Sequence, residues 1–332
     1  MILLLSILPL LLLGFAVGAF DGGDDDDSSG GGGGNDPQTF DGGDGDDMFT
    51  GGGGADLLNG GPGDDALFGA GGDDQIGGDG GEDTLDGGPG DDLIEGNSGS
   101  DSLLGQSGSD TIIAGNSADE VFGGGGADTL DGQGGDDLVD GGSNDDLLIG
   151  GAGDDMLLGR LGDDTLEGGE GADTMNGGFD NDLIDGLYVV EPNSALPTED
   201  AQDPDAIRGS SGDDTIVVGS GDVVAGGGDM DEFQLGVWLG AGEDATNAVI
   251  TDFDGTEDMI SLFAPSEEAV AELTVIQLAT DPGDGPGTID TQILLGDQLL
   301  AVLEGVSDLT EDDITVVVDP TLFTADAAAA AG

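Results

Sequence analysis

The sequence predicts an all-β solenoid with two sheets, and three observations support this prediction. An aspartate recurs at every ninth residue from Asp47 to Asp182 without exception, and an apolar residue follows two positions after each one. A glycine lies five positions before the aspartate in every unit except the one that has Ala114 there. A period this strict over sixteen consecutive units is typical of a repeat protein in which each unit stacks on its neighbours.

Each unit has the pattern G-G-x-G-x-D-x-U-x, where U is apolar, as in residues 60–68 (GGPGDDALF), and the array spans residues 42–185 without insertion or deletion. Glycines at the first, second and fourth positions let the backbone adopt positive φ and turn tightly. The apolar eighth residue lies between two outward-facing neighbours, which predicts a short strand with one buried side chain. Two units then form one coil, and eight coils would be about 38 Å long at roughly 4.8 Å per strand.

The composition limits what such a chain can bind. The 332 residues include 74 acidic side chains and only two basic ones, Arg160 and Arg208, for a formal charge of −72 at pH 7. So much charge of one sign opposes a compact fold unless counter-ions bind. A chain with almost no Lys or Arg is not expected to bind nucleic acid. Without Cys or His, the chain has no disulfide, no thiolate nucleophile and no Cys- or His-ligated metal.

The sixth-position aspartates are the candidate metal ligands. Stacking places each carboxylate about one strand spacing, roughly 5 Å, from that of the next coil. Two carboxylates repel at this distance, and a cation between them reverses the sign. Ca²⁺ accepts about six to eight oxygens with loose geometry, whereas Mg²⁺ demands a strict octahedron, so carboxylates with inward carbonyls suit Ca²⁺. The candidates are Asp47, Asp56, Asp65, Asp74, Asp83, Asp92, Asp101, Asp110, Asp119, Asp128, Asp137, Asp146, Asp155, Asp164, Asp173, Asp182 and Asp214.

The segment before the array has two parts. Residues 1–20 are almost wholly apolar and predict an N-terminal hydrophobic helix. Its length suits a membrane anchor, which would contact a bilayer, and also a cleavable signal peptide. Residues 21–41 have the composition of an acidic, Gly-rich linker; within them, residues 33–41 could be a degenerate first repeat, because Phe40 falls in the apolar register.

The pattern changes after the array. Residues 186–208 contain three prolines and no repeat signature, which predicts an interrupting loop. The repeat resumes as a short degenerate block over residues 209–234. Residues 235–319 contain short apolar runs rich in β-branched residues, typical of strands, and because the last coil needs a cover we expect a C-terminal β-rich cap. The composition of residues 320–332 predicts a flexible tail.

The nonapeptide resembles the calcium-binding repeat of the RTX (repeats-in-toxin) proteins. The resemblance is close over residues 42–185 and weak over residues 209–234, and it implies a parallel β-roll with a row of Ca²⁺ ions along each edge. Residues 249–262 (VITDFDGTEDMISL) also resemble the segment that closes such arrays in serralysin-type proteins. The resemblance implies secretion from bacteria by a type I apparatus, with an uncleaved signal that would lie after Leu262. The apolar N-terminus departs from that pattern.

These features favour a secreted or cell-surface protein that binds Ca²⁺ and folds on it outside the cell. A structural adhesin, surface-layer or matrix component that uses Ca²⁺ for rigidity is the alternative. We do not expect an enzyme: only 41 residues precede the array, and the absence of His removes zinc-protease and Ser-His-Asp chemistry. On the outward face of one sheet, an apolar stripe suits self-association or a surface partner, although scattered exposed apolar residues are normal; its residues are Phe68, Leu104, Phe122 and Leu158.

Overall fold

The computed structural model describes residues 29–31, 34–186, 204–219, 221–236, 247–264, 273–278, 290–295, 298–304, 306, 309 and 314–318. These segments form a parallel β-solenoid of about ten turns and contain no helix. The all-β solenoid prediction is therefore confirmed. The N-terminal helix and the C-terminal tail expected from the sequence lie outside the described residues. Within the described segments, no helix is long and apolar enough to cross a membrane.

The solenoid is built from short strands, most of them three or six residues long. In chain order they are β1 (Ser29–Gly31), β2 (Thr39–Asp41), β3 (Met48–Thr50), β4 (Leu57–Pro62), β5 (Ala66–Phe68), β6 (Gln75–Gly80), β7 (Thr84–Pro89), β8 (Leu93–Ser98), β9 (Ser102–Ser107), β10 (Thr111–Asn116), β11 (Glu120–Gly125), β12 (Thr129–Gly134), β13 (Leu138–Ser143), β14 (Leu147–Ala152), β15 (Met156–Leu161), β16 (Thr165–Glu170), β17 (Thr174–Phe179), β18 (Leu183–Asp185), β19 (Ala206–Ser211), β20 (Thr215–Val217), β21 (Val223–Gly228), β22 (Glu232–Gly236), β23 (Ala248–Ile250), β24 (Met259–Ala264), β25 (Leu273–Leu278), β26 (Asp290–Leu295), β27 (Gln298–Leu303) and β28 (Ile314–Val318).

Successive strands alternate between two sheets. Sheet A has the order β1-β3-β5-β7-β9-β11-β13-β15-β17-β19-β21-β23-β27-β26-β25, and sheet B has the order β2-β4-β6-β8-β10-β12-β14-β16-β18-β20-β22-β24-β28. Neighbouring strands within the repeat array are parallel and in register, as when Ile112 lies beside Leu130. Two nonapeptides therefore make one coil, as the repeat pattern predicts.

The core lies between the sheets and is one side chain wide. Each eighth-position residue of the array is at most 2 % exposed, except Phe49 at 8 %. The alternation of strand side chains explains this, because the seventh and ninth residues then face outward. Aromatic pairs lie near both ends of the row. Phe40 stacks on Phe49 with ring centroids 4.5 Å apart, and Phe233 lies 5.9 Å from Phe253.

The segments around the array contribute more strands than their composition suggests. β1 and β2 lie within the range predicted as a linker, and Phe40 of β2 pairs in register with Leu58, as a degenerate first repeat would. β19 begins at Ala206, inside the range predicted as a loop, and pairs with β17. Beyond the second block, β23, β24, β27 and β28 continue the parallel ladders, while β25, β26 and β27 pair antiparallel. The expected C-terminal cap stays a prediction.

Candidate metal centres

The sixth-position aspartates form two buried rows, one at each edge of the roll. Each lies where the chain leaves a glycine turn and enters a strand, so consecutive units contribute to opposite edges. All seventeen predicted residues are buried, with 1–5 % of the side chain exposed. The odd row contains Asp47, Asp65, Asp83, Asp101, Asp119, Asp137, Asp155 and Asp173, and the even row contains Asp56, Asp74, Asp92, Asp110, Asp128, Asp146, Asp164, Asp182 and Asp214.

Within each row, one carboxylate oxygen belongs to a regular hydrogen-bond ladder. The backbone N–H of Asp92 donates to Oδ1 of Asp110 at 2.8 Å, and the N–H of Asp110 donates to Oδ1 of Asp128 at 2.8 Å. The ladder also crosses the interruption, because the N–H of Asp182 donates to Oδ1 of Asp214, 32 residues on instead of 18, at 2.8 Å. The stacking predicted for the carboxylates is therefore retained across the interruption.

The second oxygen, Oδ2, is buried without a hydrogen-bond partner in most of the row. A buried acceptor that lacks a partner is costly, and a regular series of them points to a missing positive ligand. The affected residues are Asp65, Asp74, Asp83, Asp92, Asp101, Asp110, Asp119, Asp128, Asp137, Asp146, Asp155, Asp164, Asp182, Asp214 and Asp231. Asp56, at the start of the even row, differs because the N–H of Gly52 donates to its Oδ2 at 2.9 Å.

The first-position glycine leaves room beside this oxygen. A Cβ on Gly105 would collide with Oδ2 of Asp110 and would lie 2.7 Å from the carbonyl oxygen of Gly123 in the next coil. The carboxylate and a backbone carbonyl thus face the same small space. The expectation of positive φ at the first position was wrong, since only the second and fourth positions show it, as at Gly124 (φ 107°) and Gly126 (φ 140°). The first glycine is required by space instead.

This donor set fits a hard cation that accepts backbone oxygens. Among the described residues, no group of three or more acidic side chains is close enough to hold a metal ion by itself. A site here must therefore combine carboxylates with carbonyls. Ca²⁺ tolerates such mixed, irregular oxygen sets, whereas Mg²⁺ does not. Ala114 is the one first-position residue in the array with a side chain, and it is fully buried, so its Cβ occupies space that glycine leaves open elsewhere.

Burial makes the carboxylates reluctant to ionise in the absence of a cation. Burial, together with the smaller repulsion from the stacked carboxylates of Asp128 and Asp164, raises the pKa of Asp146 to about 8. Burial likewise raises the pKa of Asp83 to about 7 and that of Asp182 to about 8. A divalent cation in the row would reverse this, because it favours the charged form.

The fifth-position residues have a different role. They are exposed, and where they are aspartates they accept a backbone N–H from the following coil. Oδ1 of Asp91 accepts from the N–H of Ser109 at 2.8 Å, and Oδ1 of Asp163 accepts from the N–H of Asn181 at 2.9 Å. These side chains therefore stabilise the stacking of coils from outside the buried rows.

The rows also contain aspartates that the repeat pattern did not identify. Asp205 and Asp222 extend the odd row, and Asp231 extends the even row; each is 1–3 % exposed. All three share one local signal, an aspartate two residues before a buried apolar residue (Ile207, Val224 or Phe233). A search for that shorter signal without the glycines would have found them. The period of nine does not find them, because the interruption precedes Asp205 and one residue is missing between Asp214 and Asp222.

A family comparison agrees with this geometry. The family model of the RTX calcium-binding nonapeptide repeat, which spans four copies, matches residues 41–76, 77–112, 113–148, 149–184 and 202–225, more than half of the chain.

The chain belongs to the RTX calcium-binding repeat family.

RTX nonapeptide repeats bind calcium, with several sites across the repeats. RTX repeat proteins are generally secreted by bacteria, and the family is typically structural or toxin-like, although serralysin-type proteases also carry such repeats. No curated protein matches the chain in sequence.

Proposed function

We propose that this RTX protein binds Ca²⁺ along both edges of its roll and folds on binding it outside the cell, as a secreted or cell-surface protein. The single observation that supports this most is the buried, unpartnered Oδ2 of residues such as Asp110 and Asp128. Bound Ca²⁺ supplies positive charge between stacked carboxylates. The proposed ligands are the seventeen predicted aspartates, of which Asp56 is the least suited because both of its oxygens already accept N–H groups.

Charge explains why folding and binding should be one process. The chain carries a formal charge of −72, and the roll concentrates part of it in two buried rows. Burying an ionised carboxylate without a partner is strongly unfavourable. Extracellular Ca²⁺ modules bind at roughly 10⁻⁴–10⁻³ M, so Ca²⁺ outside the cell would fill these sites and cytosolic Ca²⁺ would not.

The remaining segments have supporting roles in this proposal. Residues 1–20 anchor the chain or direct its export, and residues 235–319 form a cap over the last coil. Support for the cap comes from buried Ile260, Ile293 and Leu303, which continue the core beyond the repeats. The proposal includes no catalytic role, because the chain has no His or Cys and the acids buried among the described residues belong to the stacked rows.

A structural role in an assembly is the second candidate, and one surface of sheet A favours it. Phe68, Leu104, Phe122 and Leu158 lie half-buried in one outward column, in register with Asp86 and Asp140. Each of these two acids has a polar partner on a neighbouring strand. Gln106 Nε2 donates to Asp86 at 3.0 Å, and Arg160 forms an ion pair with Asp140 at 2.6 Å. The column thus offers apolar surface on a highly acidic protein.

Limited proteolysis tests the proposed function. With Ca²⁺ at millimolar concentration, we expect a protected fragment that contains the array, residues 42–185. Equal ionic strength supplied by Mg²⁺ or NaCl should leave these residues open to cleavage. Equal protection by all three salts would contradict a specific Ca²⁺ site and would indicate general charge screening. Mass spectrometry of the N-terminus of the exported protein would distinguish a retained anchor from a cleaved signal.

A further inference from the structure

The two sheets of the roll differ in the charge that their strands carry. Between β3 and β22, the strands of sheet A contain three acids and both basic residues of the chain, for a net charge of −1: Asp86, Glu120, Asp140, Arg160 and Arg208. The strands of sheet B contain seven acids and no basic residue, for a net charge of −7: Asp79, Glu95, Asp131, Glu167, Glu170, Asp185 and Glu232. Sheet A is therefore a nearly neutral sheet on a chain with a formal charge of −72.

The outward column of ninth-position residues on sheet A carries opposite charges at equal distances from its centre. From β7 to β19 these residues lie in register, one strand apart, in the order Asp86, Leu104, Phe122, Asp140, Leu158, Asn176, Arg208. Asp86 lies three strands before Asp140, and Arg208 lies three strands after it. Reversing the column about Asp140 therefore brings the acidic end onto the basic end and Phe122 onto Leu158.

Asp86 and Arg208 cannot pair within one chain. Six strand spacings of about 4.8 Å separate them, which is roughly 29 Å. Arg208 is exposed, and no other described residue forms an ion pair with it. Asp86 has only the neutral Gln106 side chain as a hydrogen-bond donor. Each end of the column thus has a charge that a second molecule could neutralise.

We propose that two copies of this chain pack through sheet A in antiparallel orientation, with the two-fold axis along β13. This inference rests on the second candidate under the proposed function, and it names a second copy as the partner. Rotation about an axis along the strand keeps the column facing itself and reverses the order of the coils. Asp86 of each copy then faces Arg208 of the other, and Phe122 faces Leu158.

The centre of the column also suits its own copy. Nε and Nη2 of Arg160 donate to the Asp140 carboxylate at 2.6–3.1 Å, and the Arg160 side chain is still 54 % exposed. Two such ion pairs meeting at the axis present each carboxylate with a second guanidinium. A two-fold axis along the column would instead place Arg208 opposite Arg208 and Asp86 opposite Asp86. Charge therefore favours the antiparallel orientation.

The size of the face is adequate for a stable dimer. Six-residue strands are about 20 Å long, and the eight strands from β5 to β19 span about 38 Å, which gives roughly 760 Å² per copy. Specific interfaces bury about 800 Å² per partner. The facing strands run in the same direction, as in aligned sheet packing. Glu120, which has no basic residue opposite it, is the first residue of β11 and lies at the rim, where its charge can stay hydrated.

A charge swap tests the pairing, with sedimentation equilibrium of the full chain in saturating Ca²⁺ as the measurement. Wild type should have twice the chain mass of 32.5 kDa. Asp86→Arg and Arg208→Asp should each raise the dissociation constant about tenfold or more, because each places like charges together at both ends. The double variant should return to within roughly threefold of wild type. Because the two residues are roughly 29 Å apart in one chain, only contact between copies can restore it.

Glu95→Arg on sheet B is the matched control. It changes the net charge as much as Asp86→Arg does and should leave the dissociation constant unchanged. General relief of repulsion predicts the opposite sign for Asp86→Arg, namely tighter association of a less acidic chain. Far-UV circular dichroism in Ca²⁺ checks that each variant folds.

Cross-linking tests the orientation, since the chain has no Cys of its own. Leu138, the first residue of β13, lies at the proposed axis, so Leu138→Cys should be linked to its own copy by a short bismaleimide. Thr84→Cys should not be linked, because it would lie roughly 29 Å from its counterpart. Linking of both variants would overturn the antiparallel orientation.

The remaining outcomes separate this interface from the Ca²⁺ proposal. A wild-type chain that folds on Ca²⁺ and stays monomeric would overturn the interface and leave Ca²⁺-dependent folding intact. A dimer that neither charge variant weakens, or that the double variant fails to restore, would also overturn it, because another surface would then hold the copies together. A chain with the same β spectrum and the same dimer mass in EGTA as in Ca²⁺ would overturn the Ca²⁺ proposal and support the interface.

Discussion

At the scale of single residues, the sixth and first positions of the repeat form one device. The sixth-position aspartate donates its N–H to the next carboxylate in the row and directs Oδ2 into a space that only a glycine leaves open. Its fifth-position neighbour faces solvent. Adjacent residues in the sequence therefore contribute very differently to the stability of the fold. Substitutions at neighbouring positions can test this difference.

Asp110→Ala and Ser109→Ala compare a sixth-position aspartate with its fifth-position neighbour. Removing the Asp110 carboxylate leaves the N–H of Asp92 buried without its acceptor and removes a proposed ligand. A lost buried partner costs about 1–3 kcal/mol before any effect on metal binding. We expect Asp110→Ala to shift the Ca²⁺ midpoint of folding to higher concentration. Ser109→Ala should have almost no effect, because only the backbone of Ser109 is engaged. Equal shifts would show that the ligand register is wrong.

Gly123→Ala tests the space rather than the charge. A Cβ there would lie 2.5 Å from Oδ2 of Asp128 and 2.7 Å from the carbonyl oxygen of Gly141. We expect a higher Ca²⁺ midpoint and a lower melting temperature in Ca²⁺. Gly125→Ala is the control, because its nearest contact would be the flexible Ser143 hydroxyl at 3.2 Å. A Gly125→Ala variant as impaired as Gly123→Ala would mean that loss of backbone freedom, not the cation space, sets the requirement.

At the scale of elements, burial and the repulsion between stacked carboxylates raise the pKa values along each buried row. The pKa values of Asp83, Asp146 and Asp182 are raised from 3.8 to about 7, about 8 and about 8, with burial as the main cause. Because these values are raised in the folded chain, protonation favours the fold. The stability they contribute is complete below the unfolded pKa and is lost as pH rises through the folded pKa.

We therefore expect the Ca²⁺-free protein to be more β-rich at about pH 5 than at about pH 8. The Ca²⁺ midpoint should move the opposite way and rise as the pH falls, because protons compete with Ca²⁺ for the same oxygens. Far-UV circular dichroism in a chelator across this range measures the first effect, and Ca²⁺ titrations at each pH measure the second. A Ca²⁺-free fold that becomes more stable as pH rises would contradict the burial of the rows.

The sequence predicts this element structure well wherever the period holds. The aspartates and apolar residues of the array occupy the positions that a nine-residue turn and strand requires, because local geometry and stacking impose the same spacing. Prediction failed where the chain keeps the stacking but loses the spacing. Asp205 continues the row after the interruption, and the glycines usual before such an aspartate are missing from the sequence. Asp252 accepts the N–H groups of Gly226 and Gly227 with its two carboxylate oxygens, and no periodicity reveals this because the contact depends on three-dimensional pairing.

At the scale of the whole molecule, the roll is highly acidic, and sheet A carries the column of Phe68, Leu104, Phe122 and Leu158. If the structural alternative holds, a second copy would cover this column. We expect Ca²⁺-loaded wild type to self-associate and the combined Phe68→Ser, Leu104→Ser and Phe122→Ser variant to be monomeric in light scattering. Thr84→Ala, on the same face outside the column, is the control. Identical mass, Ca²⁺ midpoint and protease resistance in the wild type and the triple variant would exclude a role for the column in assembly.

In the proposed function, Ca²⁺ binding supplies the free energy that folds the roll. The most direct measurement is a far-UV circular dichroism titration of the full chain from EGTA into Ca²⁺ at low ionic strength and neutral pH. We expect a largely disordered spectrum in EGTA and a cooperative change to a β-rich spectrum as Ca²⁺ reaches roughly 10⁻⁴–10⁻³ M. A complete β spectrum in EGTA, unchanged by Ca²⁺, would contradict it.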